Sequence, residues 1–127
     1  MTKKEVLEFL NGYRKAMWAV MACEDECRLE EADEERRQAA AARLAAAKEQ
    51  AQTSRARIER AADLFVDKRY SVVIRIRYIH LTRAASKKRY QLRKWRDIAG
   101  IVHFGMSTVK RVHTEAIRLL MNYETLS

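Results

Sequence analysis

The window from Thr82 to Arg96 has the composition of a phosphate-binding surface. It holds seven lysines and arginines and no acidic residue, with Tyr90 and Trp95 among them. Basic side chains beside aromatic rings suit a phosphate backbone. The alternative is a solvated helix face on which Tyr90 and Leu92 turn towards the core. The first interpretation predicts phosphate contacts from Arg83, Lys87, Lys88, Arg89, Arg93, Lys94 and Arg96.

The charge of the whole chain is divided unevenly. Residues 1–63 carry 12 lysines and arginines against 13 acidic residues, whereas residues 64–127 carry 14 against 4. Neutralising phosphates releases condensed counterions, so this polarity indicates a polyanionic partner for the C-terminal half, usually nucleic acid. A basic face without a partner is the simpler alternative.

The residues give no support for an enzyme. The chain has no glycine-rich phosphate loop and no arrangement of a nucleophile beside a base. Residues 24–35 contain eight carboxylates, which we interpret as a solvated helix face rather than a metal site. Cys23 and Cys27 lie one helical turn apart, and we expect two reduced thiols packed as small hydrophobic groups. No cofactor or metal is predicted.

Composition predicts an all-α protein. Proline is absent, there are only three glycines, and 48% of the residues are hydrophobic, 19 of them alanine. Such a chain excludes turn-dense β folds and large cores. Its apolar runs are too short to span a membrane, and no signal peptide opens it. We therefore expect a soluble protein of the cytoplasm.

The first segment, residues 1–63, is predicted to be helical throughout. Two architectures fit it: one long helix, or a helical hairpin that reverses near residues 30–36. The lack of glycine or proline there favours the continuous helix, whereas the cluster of carboxylates disfavours it, so both architectures stay open. Apolar side chains recur with coiled-coil spacing, which predicts a homodimer through the N-terminal helices; an intrachain hairpin would bury the same stripe. The stripe comprises Val6, Leu10, Tyr13, Met17, Val20 and Cys27.

The second segment, residues 64–127, begins with a helix that Asp67 can cap. Residues 72–76 alone would suit a strand, but spacings of three and four from Tyr70 to Tyr78 favour a helix.

The stretch from Trp95 to Leu120 has the pattern of a helix-turn-helix motif. The turn is His103-Phe104-Gly105, and histidine tolerates the left-handed conformation that such a turn requires better than most residues. Apolar or small residues occupy the positions that this motif buries, namely Ile98, Ala99, Val102, Phe104, Val109 and Val112.

Several pieces resemble region four of bacterial sigma factors: Arg75–Ile79, Trp95–Ala99 and Val109–His113, followed by Ala116-Ile117 and Leu119-Leu120. The resemblance is closest to small phage and prophage transcription regulators of the ArpU/RinA type, which join an N-terminal helical segment to a sigma-region-four-like domain. It covers roughly residues 64–122. Two features depart from the family: about ten extra residues precede Trp95, and Gly105 replaces the usual Ser or Thr cap.

The resemblance implies a recognition helix at about residues 106–120, lying in the major groove of DNA. RNA polymerase is a second implied partner, since modules of this type contact it as well as promoter DNA. His113 is expected either to meet a phosphate or to pack on the surface. The solvent face of the helix would read bases through Ser107, Thr108, Lys110, Arg111 and Thr114.

The leading hypothesis is therefore a sequence-specific, DNA-binding transcription regulator, associated with the nucleoid, whose residues 64–127 bind duplex DNA by themselves. The alternative is a coiled-coil adaptor or structural protein whose basic half binds an acidic protein partner. Polar residues that can reach base edges favour the first hypothesis.

Overall fold

Helices dominate the computed structural model, which describes residues 1–30, 33–83 and 89–126. The predicted all-α class is confirmed, with one short pair of strands. Within these ranges no helix is both long and apolar enough to cross a membrane. The elements are α1 Lys3–Leu10, α2 Gly12–Leu29, α3 Glu34–Asp63, α4 Lys68–Tyr78, β1 Thr82–Arg83, β2 Tyr90–Gln91, α5 Trp95–Val102 and α6 Met106–Leu120.

Side-chain caps fix the start of several helices. Thr2 and Glu5 form a reciprocal capping box at α1, with backbone-to-side-chain distances of 3.0 and 3.2 Å. The predicted cap of α4 is confirmed, because the Asp67 carboxylate accepts a hydrogen bond of 2.9 Å from the backbone N–H of Arg69. Each cap satisfies a backbone N–H that the helix leaves without a partner.

The two long helices α2 and α3 form an antiparallel hairpin. Near the start of α2, the ring centroid of Tyr13 lies 5.9 Å from the guanidinium carbon of Arg55. Near its end, Glu26 forms an ion pair with Arg43. The start of α2 therefore lies beside the later part of α3, and the end of α2 beside the earlier part of α3, as in an antiparallel pair. Of the two architectures that the sequence left open, the hairpin is found.

Asp33 explains why the chain begins a new helix without glycine or proline. Its backbone is extended, and its carboxylate accepts a hydrogen bond of 3.1 Å from the N–H of Arg36. Glu34 and Glu35 follow in the first turn of α3. Negative charge is favourable there, beside the positive end of the helix dipole, and unfavourable when clustered inside one continuous helix.

The predicted apolar stripe is largely covered within the chain. Val6 and Leu10 are fully buried and pack in one cluster with Ile58 of α3, and Val20 is only 4% exposed. Tyr13, Met17 and Cys27 are half-buried. The homodimer was predicted because this apolar stripe needed a second helix to cover it. Helix α3 of the same chain covers much of it, so the stripe no longer argues for a dimer.

This first cluster joins both predicted segments of the chain. Helices α1 and α3 meet α4 and α6 in it, so residues before and after 63 share one core. Its buried members are Val6, Leu10, Ile58, Ala61, Ala62, Phe65, Ile74, Tyr78, Ile79, Ala116, Ile117 and Leu120.

A second cluster lies between α4, α5 and α6. Helix α4 serves both clusters, because Ile74 and Tyr78 belong to the first while Val73 and Ile76 belong to the second. Residues 72–76 lie within α4 and are helical, as the spacing of three and four residues predicted.

In the described part of the basic window before α5, residues 82–83 and 89–94, the chain is not helical, contrary to the helix-face alternative. Thr82 pairs with Gln91 and Arg83 with Tyr90 in two antiparallel strands. Leu92 then packs against the first cluster. Of the described basic residues, only Arg83 lies in a strand, so the strands do not form a basic helix face.

Candidate nucleic-acid interface

The predicted helix-turn-helix geometry is present from Trp95 to Leu120. Three residues separate α5 from α6, and His103 adopts the left-handed conformation at φ 60° and ψ 36°. Its N–H and that of Phe104 both bond to the carbonyl of Ala99, which closes the end of α5. Gly105 begins α6 with extended backbone and without a side-chain cap. All the predicted inward positions lie in the second cluster: Ile98, Ala99, Val109 and Val112 are buried, while Val102 and Phe104 are partly buried.

Helix α6 presents one buried and one exposed side. Val109, Val112, Ala116, Ile117 and Leu120 form the buried side. The strong separation of apolar from polar positions around this helix follows from the three- and four-residue spacing of its apolar residues.

The residues predicted to read bases lie mainly on the exposed side of α6. Ser107, Lys110, Arg111 and Thr114 are exposed, and Thr108 is half-buried. Among the described residues, neither Lys110 nor Arg111 forms an ion pair, so both positive charges are available to a ligand. The Thr114 hydroxyl donates to the Lys110 carbonyl at 2.9 Å, which leaves its oxygen to act as an acceptor.

The residues predicted to bind phosphate are not gathered on one element. Lys94 and Arg96 are exposed, at the cap position and in the first turn of α5. Arg83 lies over Tyr90, whereas Arg89 lies over Trp18 of α2. Arg93 is half-buried and its Nε donates to the His80 carbonyl at 3.0 Å. Lys87 and Lys88 lie outside the described residues.

Of the two roles expected for His113, its contacts favour packing over a phosphate contact. Its ring packs between Tyr78 and Trp95, with centroids 5.7 and 4.7 Å away, and Nε2 shares a hydrogen bond of 2.7 Å with the Tyr78 hydroxyl. Burial lowers the pKa of His113 to about 4, with smaller contributions from the charges of Arg77 and Lys3. At neutral pH the imidazole is therefore uncharged and serves packing.

The sequence analysis assigned no role to Arg77, whose side chain contacts residues outside α4. Its guanidinium carbon lies 3.9 Å from the centroid of the Trp95 ring, and Nη1 donates to the Arg93 carbonyl at 2.6 Å. The side chain thus fastens the end of the basic window and the start of α5 to α4. Arg75 takes a different position and pairs with Asp63 of α3. Sequence gives no signal for the contact, because residues 77 and 95 meet only through tertiary packing.

The described residues contain no group of three or more His, Cys, Asp or Glu side chains placed to hold a metal ion. Cys23 and Cys27 are free and half-buried, as expected.

Comparison with known proteins identified no match to a family profile, to a curated protein or to a solved structure.

Proposed function

We propose that this protein is a sequence-specific DNA-binding transcription regulator that inserts α6 into the major groove. The observation that carries the proposal is the division of α6: its apolar side is buried against α4 and α5, while Lys110 and Arg111 stand exposed without ion pairs among the described residues. Long donor side chains on an exposed helix suit guanine O6 and N7. A turn of three residues, the first of them left-handed, joins α5 to α6, and a turn of this length is typical of helix-turn-helix motifs.

Charge supports the same function. The excess of basic residues lies in the half of the chain that contains α6, and Lys94 and Arg96 are exposed at the start of α5. In helix-turn-helix proteins the first helix crosses the DNA backbone. These two residues are therefore the strongest candidates for phosphate contacts in the motif.

Because the sequence resembles phage regulators of the ArpU/RinA type, we also propose RNA polymerase as a second partner and the bacterial nucleoid as the location. The predicted homodimer is left out of the proposal, because α3 occupies much of the stripe that it required.

Selection of bound sequences from a pool of random duplexes tests the proposal. We expect enrichment of one short motif, and binding that weakens steeply as salt increases, because bound phosphates release counterions. Arg111→Ala should relax the preference at one position of the enriched motif, whereas Arg57→Ala, which removes an exposed arginine from α3, should leave the motif unchanged. An unchanged pool would contradict the proposal.

The second candidate is an adaptor whose basic half binds an acidic protein. The spread of basic residues over several elements favours this candidate. Arg89 lies over Trp18 of α2, whereas Lys94 and Arg96 lie at the start of α5. A protein partner can contact a basic surface of this kind. Tight, salt-sensitive binding to an acidic polypeptide without preference among duplexes would support this candidate instead.

A further inference from the structure

A groove between α2, α4 and β2 brings three arginines together. Its volume is about 510 Å³. Two of the arginines come from parts of the sequence far from the helix-turn-helix motif, which is why no local pattern predicts the groove. It is lined by Arg14, Trp18, Arg77, Arg89, Gln91 and Leu92.

The indole of Trp18 positions two of these arginines. The guanidinium carbons of Arg14 and Arg89 lie 4.9 and 5.3 Å from its ring centroid. Its Nε1 donates a hydrogen bond of 2.7 Å to the Tyr90 carbonyl, which fastens β2 to α2. A cation over an indole ring is attracted by the negative face of the ring, so both guanidinium groups are held beside the groove.

Donor groups of the arginines are left without partners. The Nε atoms of Arg14 and Arg77 are buried and form no hydrogen bond within the part of the chain that the structure describes. A buried donor without an acceptor costs free energy, commonly about 1–3 kcal/mol. Two of the arginines that line the groove are therefore incompletely hydrogen-bonded by the fold itself.

The positive charges are also uncompensated. No acidic residue lines the groove, and none of the three arginines forms an ion pair among the described residues. Burial lowers the pKa of Arg77; Tyr78 opposes this effect, and the charge of Arg14 adds a smaller lowering. Like charges this close repel each other, so the fold gains stability from any anion that binds between them.

We propose that this groove is an anion site that binds a phosphate group through Arg14, Arg77 and Arg89. Guanidinium groups match tetrahedral oxyanions by donating paired hydrogen bonds, and Gln91 adds a neutral donor. The phosphate comes either from the backbone of a DNA strand or from a free phosphate compound. The site does not depend on the function proposed above.

Calorimetric titration of the full chain with pyrophosphate, at constant ionic strength, tests the site. We expect saturable binding that weakens at least about tenfold in Arg14→Gln and in Arg89→Gln, since each loses one charge-assisted contact. Arg57→Gln removes the same charge from an exposed position on α3 and should bind as the unchanged protein does. Far-UV circular dichroism checks that each variant keeps its helices.

A parallel arm measures affinity for a DNA duplex by fluorescence anisotropy over a range of salt concentrations. If DNA supplies the phosphate, Arg14→Gln should weaken duplex binding and reduce the salt slope by about one, relative to Arg57→Gln. Pyrophosphate binding that depends on the groove, without duplex binding, would support the site and contradict the proposed function. If neither ligand distinguishes Arg14→Gln from Arg57→Gln, the site is refuted.

Discussion

Single residues on α6 and α5 have separable roles in the proposed DNA complex. Arg111 lies on the exposed side of the proposed recognition helix, whereas the exposed Lys94 directly precedes α5, the helix that would cross the DNA backbone. Arg111→Ala should cost about 1–3 kcal/mol of binding free energy and relax the preference at one base pair.

Lys94→Ala should weaken binding to all sequences alike and lower the salt slope. Anisotropy titrations against a set of duplexes with single base changes measure both effects. Equal, sequence-independent losses from the two substitutions would show that α6 does not read bases.

The buried imidazole of His113 makes the stability of the protein depend on pH. Its pKa is about 4 in the folded chain, below the usual value of 6.5, chiefly because burial penalises its charge. The unfolded chain therefore binds more protons, so stability is complete above about pH 6.5 and decreases as the pH falls towards 4.

Urea unfolding at pH 7, 6 and 5 should show this decrease, about 1–3 kcal/mol over the whole window. The comparison is with His113→Gln, which keeps a polar group near Tyr78 and cannot titrate. Parallel curves for the two proteins would mean that the imidazole is not buried as described.

At the scale of elements, sequence predicted what depends on local spacing. The helix-turn-helix motif was found with its inward positions correct, because the periods of its apolar residues specify which sides of α5 and α6 meet. The sequence left the hairpin of α2 and α3 open as one of two architectures, since Asp33 was one carboxylate among many and its extended backbone marks it as a cap only in the structure. Strands of two residues leave no periodic pattern. The burial of His113 and the stacking of Arg77 on Trp95 depend on contacts between distant segments.

The turn before α6 gives an element-scale prediction. His103 is the only described non-glycine residue with positive φ. His103→Gly should therefore leave stability unchanged or raise it by up to about 1 kcal/mol, whereas His103→Val should lower it by about 1–2 kcal/mol, because a β-branched side chain clashes in this conformation. Chemical denaturation measures both. A valine variant as stable as the original would contradict the assigned turn.

At the scale of the whole molecule, the shared core joins the two predicted segments into one cooperative unit. Leu10 of α1 is fully buried in a cluster with Ile117 and Leu120 of α6. We therefore expect residues 64–127 alone to be poorly folded, which revises the expectation that this half binds DNA by itself.

In the full chain, Leu10→Ala should lower the free energy of unfolding by about 2–5 kcal/mol. Circular dichroism and tryptophan fluorescence should report one coincident transition, and two separate transitions would indicate independent domains.

The hairpin of α2 and α3 changes the oligomeric state that we expect for this protein. A helix with an uncovered stripe from Val6 to Cys27 would need a second chain, but α3 supplies the partner surface through Ile58 within the same chain. We therefore expect sedimentation equilibrium at tens of micromolar to give the monomer mass of 14.9 kDa. Leu10→Glu should then unfold the protein without changing its association, because the substitution places a charge in a buried intrachain contact. A dimeric protein that Leu10→Glu converts into a folded monomer would instead show that the stripe pairs between chains.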